Sequence, residues 1–263
     1  MPYLESEDGT PLHFVDEGPR GATGLVLIHA EPLSLQFWQR NIPALARDFR
    51  VVAVDVRGRG ESGKTDFGHT IAQYARDLDL LFRTLELERV VAVGWSLGGS
   101  IIWSHMEQFG QARLAGYVNV DQAPRRFVSE EHLQQRLQSI RTRRLAHHTD
   151  AILDYFGPEA ERDEATVKWM VYECMKTPTP YHVEAVTNSY RSDFTPHMAR
   201  VAVPSQIYWA RYGIMDATMA EHMRSTTPGS ELVYFETCGH LIPWVEAAKF
   251  NRELAGFARP LLG

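Results

Sequence analysis

The chain has little of what marks secreted, membrane-spanning or nucleic-acid-binding proteins. Only 2 of its 263 residues are cysteine, too few for the disulfide framework of a secreted domain. No apolar run approaches the roughly 20 residues of a transmembrane helix, and no basic or apolar segment opens the chain. The formal net charge of −6 opposes binding to nucleic acid. We therefore expect a cytoplasmic protein without a signal peptide, whose partner is a small-molecule substrate and neither a membrane nor nucleic acid.

Motifs for metal ions and nucleotide cofactors are also absent. The chain has no His-Glu-x-x-His sequence, and on a helix the adjacent His147 and His148 would point about 100° apart. No Gly-x-Gly-x-x-Gly follows the first long strand pattern, so no dinucleotide site is indicated. Residues 58–65 match the P-loop pattern, but the loop 66–69 separates them from the next helical pattern, whereas a P-loop helix starts at the Lys-Thr step. We expect neither a metal nor a cofactor.

Buried-strand patterns alternate with amphipathic helix patterns along most of the chain. Strands are predicted at residues 3–6, 11–15, 25–28, 50–54, 90–93, 114–120, 203–209 and 232–235, and helices at 37–47, 71–85, 97–109, 217–225 and 247–258. The first two strands flank a turn at Asp8-Gly9 and form a hairpin. The rest predicts an α/β fold, with a mostly parallel central sheet covered by helices on both faces.

The alternation stops between residues 125 and 196, where helical patterns occur without a buried strand. Ser129 is the predicted N-cap of one helix, and a basic stretch from Arg136 to His148 is interpreted as a solvated helix face. We therefore assign 1–124 and 197–263 to a core domain, and 125–196 to a helical cap inserted after the sixth strand. Because ligands bind at the carboxyl ends of strands in open α/β sheets, the cap would cover that edge.

The sequence Gly-Trp-Ser-Leu-Gly-Gly at residues 94–99 directly follows the apolar run 90–93. Such a Gly-x-Ser-x-Gly pattern between a strand and a helix predicts a nucleophile elbow, which holds Ser96 in a strained conformation with its hydroxyl clear of the sheet. Side chains at Gly94 and Gly98 would clash where the strand and the helix pack. The N–H of Leu97, at the helix N-terminus, is the predicted first donor to an oxyanion.

A serine nucleophile needs a base and an acid. His240 lies on a Gly-containing loop after the last predicted strand, where the chain order of serine, acid and histidine places the base. Asp121 and Asp216 each follow a strand and are the candidate acids. Asp216 directly precedes a helical pattern and is a natural N-cap, whereas Asp121 has no competing role. We favour Asp121 and keep Asp216 as the alternative.

The second oxyanion donor is expected from the loop after the strand 25–28. The backbone N–H of Glu31 is the candidate, and His29, at the end of that strand, belongs to the same loop. The Glu31 carboxyl either contacts substrate or moves protons beside the nucleophile, or it is a solvent-exposed loop side chain. The substrate pocket is predicted to be lined by His29, Trp38, Trp95 and Trp169, which would suit an apolar or aromatic substrate of moderate size.

Taken together, these motifs resemble the α/β-hydrolase superfamily along essentially the whole chain. The matching pieces are His29-x-x-Pro32 followed by Trp38, Asp55-x-Arg57-Gly58-x-Gly60-x-Ser62, the elbow at 94–99, and Gly239-His240. The segment 55–62 is a familiar loop of that family, which gives the P-loop match a structural explanation. The sequence carries no signal for the oligomeric state.

The chain departs from the family pattern at two places. Ala30 stands where the family usually has glycine, and the loop after strand 203–209 has no carboxylate before Asp216, although the family usually places its acid early in that loop. Some members, including certain lactonases and cofactor-free quinolone-type dioxygenases, carry the acid at the end of the preceding strand. That position is Asp121 in this chain.

The resemblance implies a serine hydrolase that cleaves a carboxylic ester or lactone through a Ser96-His240-Asp121 triad and an acyl-enzyme. Serine at the nucleophile position speaks against haloalkane dehalogenase and epoxide hydrolase chemistry. Three alternatives stay open: a cofactor-independent dioxygenase of an aromatic heterocycle, a C–C bond hydrolase or acyltransferase, and a non-catalytic small-molecule receptor.

Overall fold

The computed structural model describes residues 2–21, 23–126 and 128–263. Within these ranges, eight strands form one sheet in the order β1-β2-β4-β3-β5-β6-β7-β8. The strands are β1 (Tyr3–Glu5), β2 (Pro11–Glu17), β3 (Thr23–Ile28), β4 (Val51–Val54), β5 (Arg89–Trp95), β6 (Leu114–Val120), β7 (Ser205–Tyr212) and β8 (Ser230–Gly239). The first two strands are antiparallel to their neighbours and the remaining pairs are parallel, which confirms the predicted α/β fold.

Helices cover both faces of the sheet, and β5 shows how the sequence produces this. Val91 and Val93 pack into one buried cluster together with Phe250 of a C-terminal helix. Val90 and Ala92 point to the opposite face and pack into a second cluster with the helix that follows β5. Because successive strand residues face opposite sides, a continuous apolar run is what a strand covered on both faces requires.

The helices of the core are α1 (Ile42–Leu45), α2 (Ile71–Thr84), α3 (Leu97–Phe109), α9 (Ala217–Thr226), α10 (Ile242–Val245) and α11 (Ala247–Leu262). The predicted single helix at 37–47 is wrong: the chain forms a 3-10 turn at Leu35–Trp38 and then the short α1. Pro43 explains the break, because a proline lacks the N–H that a continuous helix would bond to residue 39.

Between β6 and β7 the described residues form helices and one isolated bridge between Arg125 and Asp193. The helices are α4 (Glu130–Thr142), α5 (Arg144–Phe156), α6 (Glu164–Met175), α7 (Thr179–Arg191) and α8 (Thr195–Met198). As predicted, Ser129 caps α4, and its hydroxyl accepts a hydrogen bond from the His132 N–H at 3.1 Å. Residue 127 of the predicted cap lies outside the described residues, and the division into core and cap stays a prediction.

None of the helices in the described ranges combines the length and the apolar character that crossing a bilayer requires. Likewise, His, Cys, Asp and Glu side chains of the described residues form no group of three or more that could hold a metal ion.

Candidate active site

Ser96 occupies the sharp turn between β5 and α3. Its backbone has φ 52° and ψ −117°, a positive-φ conformation that a residue with a side chain rarely adopts. The turn is tight enough that a Cβ at Gly94 would lie 2.5 Å from the backbone of Gly98, which is why small residues flank the serine. Ser96 is 7% exposed, so its hydroxyl lies in a nearly closed site.

The sheet register brings Ser96 and Asp121 side by side. Trp95, the last residue of β5, pairs with Val120, the last residue of β6. Ser96 follows the first strand directly, and Asp121 follows the second. The Ser96 N–H donates to the Val120 carbonyl at 2.9 Å, which fixes this relation between the two strand ends. Asp121 also has a positive φ of 49°, so both residues are held in strained turns at the same edge.

His240, just after β8, meets Asp121 directly. Its Nδ1 lies 2.7 Å from the Asp121 Oδ2, and both side chains are buried. The Ile214 N–H donates to the same carboxylate oxygen at 2.9 Å, while the other oxygen has no partner among the described residues. A Cβ at Gly213 would lie 2.2 Å from that carboxylate, so the loop after β7 passes close because glycine stands there.

Asp216, the alternative acid, lies elsewhere. Its Oδ1 accepts a hydrogen bond from the Met219 N–H at 2.7 Å, and the side chain caps α9 at the exposed surface. The structure therefore brings Asp121 to His240 and leaves Asp216 as a helix cap.

Contacts with two residues, Trp95 and Tyr155, fix the loop that carries His240. The Trp95 Nε1–H donates to the His240 carbonyl at 2.9 Å, which ties this loop to the residue before the nucleophile. The ring of Tyr155, at the end of α5, meets the imidazole edge-on with centroids 4.8 Å apart, and its carbonyl accepts from the Leu241 N–H at 2.9 Å. Sequence reasoning missed Tyr155, because nothing in the α5 sequence indicates which aromatic side chain reaches His240.

The backbone N–H groups of Leu97 and Glu31 are the two predicted oxyanion donors. Leu97 is the first residue of α3, so its N–H precedes the helical hydrogen-bond ladder. Within the part of the chain that the structure describes, the N–H groups of Leu97 and Glu31 donate to no protein acceptor. The role of both groups as oxyanion donors stays a prediction.

The Glu31 side chain is not the solvent-exposed loop group that one interpretation allowed. Arg59 donates to its Oε2 from Nε at 2.8 Å, and the Arg59 Nη2 lies 2.6 Å from the same oxygen. Burial raises the pKa of Glu31, although Arg59 favours its ionised form. Arg59 lies on the loop after β4, and β4 neighbours β3, so the two loops meet at one edge of the sheet.

His29 supports this loop and does not line a substrate pocket as predicted. Its Nδ1–H donates to the Ala30 carbonyl at 2.8 Å, and its Nε2 accepts from the Val56 N–H at 3.0 Å. Burial lowers the pKa of His29 to about 4, so the ring is neutral. With both nitrogens engaged, His29 has no capacity left for a substrate.

The predicted pocket tryptophans are also largely internal. Trp38 and Trp95 are 0% exposed and pack edge-on with centroids 5.7 Å apart. Neither ring therefore lines an open cavity in this structure, and the prediction is corrected for both. Trp169 is partly buried and stacks on Trp244 with centroids 5.2 Å apart.

The segment 58–65, which matches the P-loop pattern, forms a loop that its own lysine stabilises. The Lys64 ammonium donates to the carbonyl oxygens of Arg59, Gly60 and Ser62 at 3.1, 2.7 and 2.7 Å. The next helix begins only at Ile71. The lysine thus closes a turn, and no helix N-terminus meets it as a phosphate cradle would require.

Comparison with known proteins agrees with this architecture. The family described as alpha/beta hydrolase fold matches residues 24–144. The bifunctional esterase/perhydrolase of Acinetobacter calcoaceticus is 25% identical, over 98% of this chain and 100% of its own. The chain therefore has the α/β-hydrolase fold, and the family match covers somewhat less than half of its length.

Solved structures show the same fold at lower sequence identity. An esterase from Exiguobacterium antarcticum superimposes with a TM-score of 0.92 at 20% identity, covering 98% of each chain. An enol-lactonase from Burkholderia xenovorans gives a TM-score of 0.88 at 22% identity, covering 98% of this chain and 100% of its own.

Proposed function

We propose that this protein hydrolyses a carboxylic ester or a lactone of a small substrate through an acyl-enzyme on Ser96. The observation that carries the proposal is the 2.7 Å contact between His240 Nδ1 and Asp121 Oδ2, at the edge where the strained serine ends its strand. A nucleophile, a base and an acid that orients the base are the parts that acyl transfer needs.

The proposed chemistry follows from these groups. The Ser96 hydroxyl attacks the carbonyl carbon while His240 Nε2 takes its proton, and Asp121 holds the imidazole and stabilises its cation. The N–H groups of Leu97 and Glu31 hold the oxyanion. His240 then returns the proton to the leaving alcohol oxygen, and water, deprotonated by His240, releases the acid from Ser96.

The names of similar proteins support ester chemistry, since they include an esterase/perhydrolase, an esterase and an enol-lactonase. The first of these names also favours a second candidate, perhydrolysis, in which hydrogen peroxide replaces water in the attack on the acyl-enzyme and a peracid is released. Both candidates use the same acyl-enzyme. They are separated by measuring peracid formation when peroxide is added to an ester substrate.

The test compares the wild type with Ser96→Ala on 4-nitrophenyl acetate, butyrate and hexanoate, with an oxygen electrode in parallel. We expect turnover in the wild type, a loss of at least about 10³-fold in kcat for Ser96→Ala, and no oxygen uptake. A Ser96→Ala protein that folds and keeps its rate would overturn the mechanism. Oxygen uptake with an aromatic heterocycle that survives in Ser96→Ala would instead favour the dioxygenase alternative.

A further inference from the structure

The C-terminal end of α5 lies against the loop that carries His240. Tyr155 is the penultimate residue of this helix, and Gly157 follows the helix directly. The Tyr155 carbonyl accepts a hydrogen bond from the Leu241 N–H at 2.9 Å, and the Tyr155 ring meets the His240 imidazole with centroids 4.8 Å apart. One residue of α5 therefore contacts the candidate base through its side chain and the following loop residue through its backbone.

Two glycines let these two segments approach each other. A Cβ on Gly157 would lie 2.7 Å from the backbone nitrogen of Gly239, and a Cβ on Gly239 would lie 2.5 Å from the Tyr155 carbonyl oxygen. Both distances are too short for a side chain, and the atoms met belong to the backbone. Gly157 also has a φ of 82°, a conformation that favours glycine. The end of α5 and the histidine loop thus pack backbone against backbone.

The residues after α5 also reach the loop that supports the candidate acid. The Tyr212 hydroxyl, at the end of β7, donates to the Glu159 Oε1 at 2.6 Å. Gly213 follows directly, and a Cβ there would lie 2.2 Å from the Asp121 carboxylate. The segment 155–159 therefore contacts both the loop that carries the base and the loop that passes the acid.

The imidazole of His240 is held from two sides. Its Nδ1 lies 2.7 Å from the Asp121 Oδ2, which fixes one end of the ring. Within the described ranges, the rings of Tyr155 and Trp95 pack on it, with centroids 4.8 and 5.9 Å away. Trp95 belongs to β5 of the sheet, whereas Tyr155 belongs to the helical segment between β6 and β7. Such packing limits the tilt of the other ring end, Nε2, which takes the Ser96 proton in the proposed mechanism.

We propose that the end of α5 positions the base, and that Tyr155 is a positioning residue whose ring keeps the His240 imidazole in the orientation that activates Ser96. The inference rests on the proposed function. It makes the helical segment between β6 and β7 a part of the catalytic geometry as well as a cover for the sheet edge. A change that loosens or displaces the end of α5 should therefore slow attack by Ser96 while substrate binding is kept.

The first test removes the aromatic ring and then restores it. Tyr155→Leu loses the ring that packs on His240 but keeps the backbone carbonyl, whereas Tyr155→Phe keeps the ring and loses only the hydroxyl. For 4-nitrophenyl butyrate we expect kcat to fall by roughly tenfold or more in Tyr155→Leu, with KM within about threefold of wild type. Tyr155→Phe should keep kcat within about threefold of wild type.

The second test displaces the helix end itself. Gly157→Ala places a methyl group against the backbone of Gly239 and should lower kcat by at least about tenfold. The matched control is Gly110→Ala. Gly110 also follows a helix, α3, and has a φ of 76°, but a Cβ there would meet nothing within 4 Å. Both replacements strain a positive-φ glycine, so a difference in kcat reports the contact with the histidine loop.

A purely structural role would lower stability without this pattern of rates. Urea unfolding of each variant therefore accompanies the kinetics, and rates are compared only for folded protein. Equal losses of kcat in Tyr155→Leu and Tyr155→Phe, or a higher KM with unchanged kcat in Tyr155→Leu, would overturn the proposal. A folded Gly157→Ala with the kcat of Gly110→Ala would do the same. If Gly157→Ala does not fold, the two Tyr155 variants decide.

A spectroscopic measurement separates this inference from the proposed function. The proton that His240 Nδ1 donates to Asp121 is observed by NMR in Ser96→Ala labelled with ¹⁵N-histidine, and it is assigned by its loss in His240→Gln. We expect this resonance to persist in Ser96→Ala/Tyr155→Phe and to broaden or disappear in Ser96→Ala/Tyr155→Leu.

The two proposals then fail in different ways. If the wild type cleaves no ester but the resonance depends on the ring of Tyr155 as expected, the hydrolase proposal fails and the positioning role stands. If esters are cleaved while Tyr155→Leu changes neither the resonance nor kcat, the positioning role fails and the hydrolase proposal stands.

Discussion

The sheet edge around the nucleophile and the space enclosed by Pro32 and helices α4, α5 and α7 differ in how far their buried polar groups are hydrogen-bonded. At the sheet edge, His29 uses both ring nitrogens and one oxygen of Glu31 pairs with Arg59, while Glu31 Oε1 and Asp121 Oδ1 have no hydrogen-bond partner among the described residues. In the enclosed space, the ring nitrogens of His182 and the Nε of Arg136 have no hydrogen-bond partner within the described ranges, although His182 Nε2 lies 3.9 Å from Glu31 Oε1. Fully paired groups hold a geometry, whereas unpaired groups are available to a ligand. The first region therefore holds its side chains more tightly than the second.

The largest expected effect is on kcat, and it distinguishes the two candidate acids, Asp121 and Asp216. Asp121→Asn removes the charge that orients His240, and it should lower kcat for 4-nitrophenyl butyrate by roughly 10³- to 10⁴-fold. Asp216→Asn should change kcat by less than about threefold, because asparagine caps a helix as well as aspartate does. Steady-state kinetics measures both. A larger loss in Asp216→Asn would contradict the assignment of the acid to Asp121.

A smaller effect tests the pairing at the sheet edge. Arg59→Gln leaves the Glu31 carboxyl buried without its counter-charge and should lower the free energy of unfolding by about 3 kcal/mol. Glu31→Gln/Arg59→Gln removes both charges and should recover a large part of that loss. Urea unfolding at pH 7 measures the difference. A double variant as unstable as Arg59→Gln would show that an unpaired charge is not the cause.

A third prediction compares a histidine from each region through its pH dependence. Burial lowers the pKa of His29 to about 4 and that of His148 to about 3. Below the unfolded-state pKa of about 6.5, the unfolded chain binds a proton that the folded chain excludes. Stability that is present above this pH is therefore lost as pH falls, by about 2 kcal/mol per histidine between pH 7 and pH 5.

The variant His148→Gln isolates the contribution of His148 to this pH dependence. Between pH 7 and pH 5 the free energy of unfolding should decrease in both proteins. The decrease should be about 2 kcal/mol smaller in His148→Gln than in the wild type. The exposed His222→Gln serves as the control and should behave as the wild type does. If His148→Gln loses as much stability as the wild type over this range, His148 is not buried in its neutral form.

The smallest effect concerns the helix that carries Arg136. Ser129→Ala removes the side-chain cap of α4, whose hydroxyl bonds the His132 N–H, and should cost about 1 kcal/mol. Asp216→Ala, which removes the cap of α9 on the core side, gives a matched loss for comparison. Thermal unfolding measures both. A much larger loss for Ser129→Ala would mean that Ser129 stabilises more than the first turn of α4.

The parts of the fold that depend on local pattern could be predicted from the sequence. The apolar run 90–93 followed by Gly-x-Ser-x-Gly indicated both β5 and the turn at Ser96, because strand, turn and helix are contiguous. Asp216 could be recognised as a helix cap for the same reason. The preference for Asp121 followed from its lack of a competing role together with its position at a strand end.

What the sequence could not show depends on contacts between distant segments. The pairing of Glu31 with Arg59 joins two loops from neighbouring strands, and no local pattern reports it. The basic stretch that includes Arg136 was expected to be a solvated face, but α5 and α7 pack against α4 and enclose part of it. Trp38 and Trp95 were expected in a pocket, yet they pack against each other in the core.

The most direct test of the central claim is to trap the nucleophile. The wild type is incubated with an alkyl fluorophosphonate, which phosphonylates activated serines, and is then digested for peptide mass spectrometry. We predict one adduct, on the peptide that contains Ser96, and none in Ser96→Ala. An adduct on another serine, or the same extent of labelling in Ser96→Ala, would contradict the account.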